Sequence, residues 1–366
     1  MPAARTGSVT GHPEPCAHAG RWKERLSARR SELQEMFAER GAAADILRQL
    51  SGLTDGMLRE IWKTLSMPGQ LVLIAVGGYG RGQLFPQSDI DLLFLVPDSA
   101  APGWQHKLEE MIGVLWDIGL EVGHSVRTLE ECQQLALQDV TVQTNMLEAR
   151  LLAGDRGLFR DFAKRMRDCL DPAAFLQAKQ LEQQQRHARY QETNLEPNIK
   201  ESAGGLRDLQ TILWIARAGG VGKTWRELAR RGVVTATEAR EIQRHELFLQ
   251  LLRIRLHYLA GRREDRLLFD HQSALAQQFG LRRKPHRLAS EQLMQRYYRT
   301  AKAVSQLNTI LLQNLGARIF PGRNREYQPI NPRFGIRGER LEARDEDLFE
   351  REPAAIFESF ALLQQH

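Results

Sequence analysis

The sequence predicts an α+β fold, with a small mixed-sheet core followed by a large all-helical domain. Three observations predict it. Residues 71–96, LVLIAVGGYGRGQLFPQSDIDLLFLV, read as an apolar strand, a glycine-rich turn, a short polar loop and a second apolar strand. Residues 119–128, GLEVGHSVRT, alternate apolar and polar side chains with a period of two. From about residue 129 onward, most segments carry apolar side chains at helical spacing.

Taken in order, residues 1–20 are rich in Gly, Pro, Ala and His and are expected to be disordered. Residues 21–66 read as N-terminal helices, with Leu26, Leu33 and Phe37, then Ile46, Leu47 and Leu50, at helical spacing. Gly41 and Gly52 punctuate them, and a short helix is expected from Met57 to Leu65. The mixed-sheet core is expected over 67–140, with strands at 71–76, 90–96 and 119–128 and an amphipathic helix at 103–118. Helical segments are read from about 129 onward, at 129–138, 139–151, 155–169, 172–192 and beyond, and a helical domain is expected over 141–335. Residues 194–208, with Pro197, Gly204 and Gly205, interrupt the helices. After Gly316 the pattern is irregular, and residues 336–366 read as a linker.

Composition narrows the class. A 366-residue chain with 42% hydrophobic and 26% charged residues suits a soluble globular protein of two or three domains. Net charge is +6, unevenly spread: residues 1–140 hold 13 Lys/Arg and 18 Asp/Glu, the remainder 38 and 27. A basic excess of that kind suits nucleic acid, an anionic nucleotide or an acidic protein. The three cysteines, Cys16, Cys132 and Cys169, lack metal-ligand spacing and suit a reducing compartment. No secretory h-region and no apolar run of about 20 residues is visible, so a cytoplasmic location is expected.

The chemistry is concentrated in the glycine turn and the strand after it. Asp89 and Asp91 lie two apart, so a strand points both to one face, roughly 7 Å apart. A lone Asp-x-Asp is more often a turn cap beside a solvated carboxylate. Here Asp91 runs straight into Leu92, Leu93, Phe94 and Leu95, where an unpaired charge is costly to desolvate. With Glu121 on the following strand, the two aspartates form an expected Mg²⁺ site of hard oxygen ligands, as phosphoryl or nucleotidyl transfer requires. Gly77 and Gly78 leave backbone N–H groups free to cradle phosphate oxygens. Arg81 is placed to contact a triphosphate and Ser88 to donate a hydroxyl.

Two patterns are set aside. Residues 219–224, GGVGKT, resemble the end of a P-loop, but Arg217 occupies the position of its first glycine and no strand precedes it, so a helix–helix turn is expected. The histidines, His257 among them, show no H-x-x-x-H or H-E-x-x-H spacing and read as structural or solvated. A third cluster, Glu196, Lys200, Glu201, Arg207 and Asp208, fits a salt-bridged helix start and a ligand site equally well.

VGGYGRGQLFPQSDIDLLFLV resembles the nucleotidyltransferase core of the DNA polymerase β superfamily, in the form found in bacterial PII uridylyltransferase/uridylyl-removing enzymes. NLEPNIKESAGGLRDLQTILWIA, LHYLAGRREDRLLFDHQ and INPRF (residues 330–334) resemble later parts of the same family, so the resemblance covers roughly residues 20–366. It implies a polymerase β-like core and Mg²⁺-dependent transfer of UMP from UTP to a tyrosine of the PII signalling protein, with release of pyrophosphate. Matched residue by residue, the phosphate-cradling glycines fall at Gly77 and Gly78 and the metal-binding aspartates at Asp89 and Asp91; Glu121 takes the third acidic position by its place on the next strand. The family also carries a phosphohydrolase domain that removes UMP and ACT domains that bind glutamine. This chain reaches His366 about where the hydrolase would begin, so a truncated product without those parts is expected. The alternatives are an adenylyltransferase acting on glutamine synthetase, a nucleic-acid-tailing enzyme, and a PII-binding fragment without activity. The lack of aromatic side chains among the basic segments argues against the tailing enzyme.

Overall fold

The computed structural model describes residues 15–97, 103–190, 195–319, 327–337, 340–345 and 347–365. Four strands, β1 (Val72–Ala75), β2 (Ile90–Leu95), β3 (Val122–Arg127) and β4 (Arg150–Gly154), form one sheet in the order β3-β2-β1-β4. β1 is antiparallel to both β2 and β4, whereas β2 and β3 run parallel, so the sheet is mixed, as expected. Leu71 to Ala75 are fully buried, which is why this stretch reads as an unbroken apolar run. One sheet face meets Cys132, Ala136, Met146, Phe162 and Met166 in a single apolar cluster.

Helices surround the sheet. α1 (Pro15–Arg40) and α2 (Ala43–Thr64) precede it, a single turn α3 (Gly77–Gly80) links β1 to β2, and α4 (Trp104–Asp117) joins β2 to β3. α5 (Leu129–Gln138), α6 (Val140–Leu147) and α7 (Arg156–Asp168) cover the clustered face. Beyond them come α8 (Pro172–Tyr190), α9 (Leu206–Ala218), α10 (Trp225–Arg230), α11 (Ala236–Ala260), α12 (Phe269–Gln278) and α13 (Ala289–Ile319). Residues 219–224 form the expected helix–helix turn, with Gly219 capping α9 and Thr224 capping α10 through its hydroxyl. Among the described residues, no helix is long and apolar enough to cross a membrane.

Four local expectations are corrected. α1 starts at Pro15, inside the stretch expected to be disordered, because Ala19 and Trp22 are buried and the Trp22 indole donates to Glu60 on α2 (2.8 Å); residues 1–14 lie outside the described residues. α2 runs unbroken through Gly52 and Gly56, since Ile46, Leu47, Leu50, Met57, Leu58 and Ile61 all bury on one face. That burial outweighs the roughly 1 kcal/mol cost of each helical glycine. The helix expected over 139–151 ends at Leu147, and β4 follows, filling the free edge of β1. Gly154 closes β4 with φ +96°, where a Cβ would lie 1.9 Å from the Leu71 carbonyl oxygen.

The chain divides into two compact units, Met1–Leu311 and Leu312–His366. The fourth correction falls in the second unit. There, residues expected to be irregular form an antiparallel sheet of β5 (Tyr327–Pro329), β6 (Phe334–Arg337) and β7 (Arg340–Ala343). Pro329 and Pro332 mask the strand pattern in the sequence. Asn331 Oδ1 accepts from the Arg333 amide (2.9 Å), an Asx turn, and from the Phe334 amide (2.7 Å), and so starts β6 from the INPRF segment. Phe334 buries against Leu348 of α14 (Leu348–Arg351) and Ala355 of α15 (Ala355–Gln365).

Candidate active site

The glycine turn is shaped from below. Tyr79 is buried and its hydroxyl donates to Asp55 Oδ1 of α2 (2.6 Å). Burial and then the Asp55 charge push that phenol far above its ordinary range. Arg150 of β4 pairs with Asp55 (3.0 Å) and donates to the carbonyls of Tyr79 (3.1 Å) and Gly80 (3.2 Å), satisfying acceptors at the end of the turn. Gly80 has no room for a side chain: a Cβ would lie 2.3 Å from the Glu148 carbonyl oxygen and 2.9 Å from that of Ala75.

Two glycines flank Asp91. Gly77, at φ +57°, would place a Cβ 3.1 Å from Asp91 Oδ2; Gly123, its register partner on β3, would place one 3.0 Å from Oδ1. Both carboxylate oxygens are thereby left unobstructed. Burial, and then the charge of Asp89, raise the Asp91 carboxyl above its usual range, while Lys200 and Arg263 oppose that rise. Asp89 sits just before β2 with its side chain half-exposed, and Arg263 Nη1 lies 3.0 Å from its Oδ2.

Basic side chains share the same cleft. About 120 Å³ in volume, it is lined by Gly77, Gly78, Arg81, Ser88, Asp89 and Asp91 together with Lys200, Arg207 and Arg253. The 198–205 segment that presents Lys200 is firmly built. Asn198 Oδ1 accepts from the amides of Lys200 (3.0 Å) and Glu201 (2.8 Å), and buried Asp208 accepts from the Gly204 amide (2.7 Å). Burial, and then Arg207 and Arg253, bring the Lys200 ammonium down to about 8. Arg81 is tied into an ion pair with Glu148, which also accepts from the Trp214 indole (2.6 Å). A second cavity, of about 240 Å³, opens on the β3 side of Asp91 and shares Asp91 and Asn145 with the first.

The structure therefore brings together six of the seven residues singled out in the sequence: Gly77, Gly78, Arg81, Ser88, Asp89 and Asp91. Glu121 is not among them. It is exposed, its backbone carbonyl accepts from Ile90 N (2.9 Å), and its charge acts on Arg30. The residue beside Asp91 on β3 is Gly123, and among the described residues no group of three or more His, Cys, Asp or Glu side chains is placed to hold a metal ion. Two carboxylates facing an open cleft still fit Mg²⁺, which commonly takes one or two protein carboxylates together with substrate phosphates and water.

Comparison with known proteins matches residues 57–146 to the nucleotidyltransferase domain family and residues 174–312 to the GlnD PII-uridylyltransferase family. A bifunctional uridylyltransferase/uridylyl-removing enzyme of Nitrosospira multiformis is 55% identical over 361 residues, covering 96% of this chain and 41% of that protein. Enzymes of the same description from Aromatoleum aromaticum and Burkholderia thailandensis are 50% and 51% identical, over 94% and 93% of this chain and 40% of each relative. The chain belongs to this family. It spans about two fifths of the length of these curated relatives.

Both matched regions contribute to the cleft, the first through the glycine turn and the second through Lys200, Arg207 and Arg253. Glu148, Trp214, Arg253, His257 and Asp265 belong to the site or its support and were not singled out as such from the sequence. The one signal for the last two was LHYLAGRREDRLLFDHQ, and it carried a family likeness without a role.

Proposed function

We propose that this chain transfers UMP from UTP to a tyrosine hydroxyl of the PII signalling protein, releasing pyrophosphate. The observation that carries this reading is that Asp89, Asp91 and the glycine turn line one cleft with Lys200, Arg207 and Arg253. In this reading the tyrosine oxygen bonds to the α-phosphorus as the bond to pyrophosphate breaks, and the hydroxyl proton passes to solvent. The Gly78 region and the basic side chains of the cleft bind the triphosphate and its departing negative charge, so catalysis rests on positioning and on charge stabilisation. Asp89 and Asp91 would hold Mg²⁺, which supplies charge neutralisation at the phosphates. The cavity on the β3 side of Asp91 is the place for the acceptor hydroxyl. Transfer from UTP suits the cytoplasm.

Incubation with purified PII, Mg²⁺ and labelled UTP tests the proposal. Label should enter PII, with UTP preferred among the four nucleoside triphosphates, and Asp89→Asn with Asp91→Asn should abolish it without unfolding the chain. Undiminished transfer by the folded double variant would overturn the assignment, and preference for ATP would point to the adenylyltransferase reading.

A further inference from the structure

We propose that His257 is a positioning residue for nucleotidyl transfer, the middle member of a buried chain Asp265–His257–Gln87 that fixes the turn carrying Asp89. The inference rests on the function proposed above. His257 belongs to α11, 170 positions from Gln87 in sequence, and its side chain is fully buried. The Gln87 amide donates to His257 Nδ1 at 3.4 Å, and His257 Nε2 lies 3.2 Å from Asp265 Oδ1. A ring nitrogen that accepts carries no proton, so the bond to Gln87 requires the neutral imidazole with its hydrogen on Nε2, donated to Asp265. Burial lowers the histidine pKa and keeps that neutral form.

Asp265 is anchored in its turn. Arg253 donates to both of its carboxylate oxygens, at 2.5 and 3.1 Å, and lays its guanidinium 4.0 Å from the centre of the Phe85 ring. The Asp265 carbonyl accepts from the Ile199 amide (2.8 Å), beside Lys200. The turn from Phe85 to Ser88, closed by Ser88 N to Phe85 O at 3.1 Å, is therefore gripped through Phe85 and Gln87, two residues before Asp89. The same acidic residue thus seats both the Asp89 turn and the Lys200 segment. Sequence spacing gave no sign of this, because the partners come from distant parts of the chain.

The test compares His257→Phe, which keeps a ring without an acceptor, with His257→Asn, whose amide oxygen can stand near the Nδ1 position. Hydrogen exchange is read on peptides covering residues 85–92, and steady-state uridylyl transfer is read in parallel. His257→Phe should exchange at least tenfold faster there, and kcat should fall tenfold or more with the KM for UTP within about threefold. His257→Asn should restore exchange and part of kcat. Unchanged exchange at 85–92 in folded His257→Phe would overturn the proposal. Should that variant fail to fold, Asp265→Asn takes its place, and unchanged exchange there would do the same. Exchange needs neither UTP nor acceptor, so a wild-type chain without transfer activity would count against the proposed function and leave this result readable.

Discussion

Arg263 Nη1 lies 3.0 Å from Asp89 Oδ2, so a residue of the helical region supplies the counter-charge for an aspartate 174 positions earlier. Both side chains are about half-exposed, and exposed pairs of this kind contribute at most about 1 kcal/mol to stability. The guanidinium and a bound cation would compete for the same carboxylate. Arg263→Gln should therefore leave the unfolding midpoint almost unchanged and lower the Mg²⁺ concentration for half-maximal activity. Metal titrations of the two proteins check this, and a higher requirement in the variant would refute it.

Lys200 gives a pH signature. Its ammonium is charged below about 8 and neutral above, so triphosphate binding should weaken as pH rises through that value. The KM for UTP should climb above pH 8, approaching tenfold per unit, and Lys200→Arg should flatten the climb because arginine stays protonated. Stability moves the other way. The unfolded chain holds this proton to about 10.5, so the contribution of Lys200 to stability rises with pH between about 8 and 10.5. Initial rates across pH 7–9.5, together with thermal melts over the same range, separate the two effects.

Glu148 is buried and holds both Arg81 and the Trp214 indole. Removing one member of such a pair leaves an uncompensated charge, a loss of about 3–5 kcal/mol. Glu148→Ala should show that loss in urea unfolding. Glu148→Gln keeps an acceptor for Trp214 and should fall between the alanine variant and wild type.

The glycines of the turn should separate into two kinds. Gly80→Ala drives a methyl into backbone oxygens of Glu148 and Ala75 and should destabilise the fold by several kcal/mol. At Gly78 a Cβ would meet only the end of Arg81 at 3.5 Å and the Gln83 carbonyl oxygen at 4.0 Å. Gly78→Ala should therefore melt close to wild type and instead raise the KM for UTP, since the added methyl lines the cleft. Melting curves and UTP saturation curves on the two variants decide it.

Much of this site was legible because it is local. The strand, the glycine turn and Asp89 and Asp91 lie within one stretch of sequence, and the helices over 129–138, 206–218 and 236–260 end where their apolar spacing ends. What was hidden depended on register and on distant contacts. Glu121 has the right type, but it lies one residue ahead of β3, which pairs so that Gly123 stands beside Asp91. β4, Arg-Leu-Leu-Ala-Gly, is too short to declare a period, and the open edge of β1 makes it a strand. The charged crowd at 194–208 is salt-bridged, with Glu201 paired to Lys200 and Arg207 and Asp208 to Arg186 of α8, and Lys200 also lines the cleft. Cation and acceptor positions such as Arg253 and His257 become meaningful only once α11 is placed against the turn at 85–89.

Asp55 has a consequence for exchanging parts between relatives. The matched nucleotidyltransferase region begins at residue 57, two positions after the carboxylate that receives the Tyr79 hydroxyl and the Arg150 guanidinium. A chimera spliced at that boundary would hand the common acceptor of Tyr79 and Arg150 to whatever residue the foreign segment carries at position 55. A junction at the Gly41–Ala42 bend, ahead of α2, carries the whole three-residue joint across and is where recombination between homologues should be tolerated.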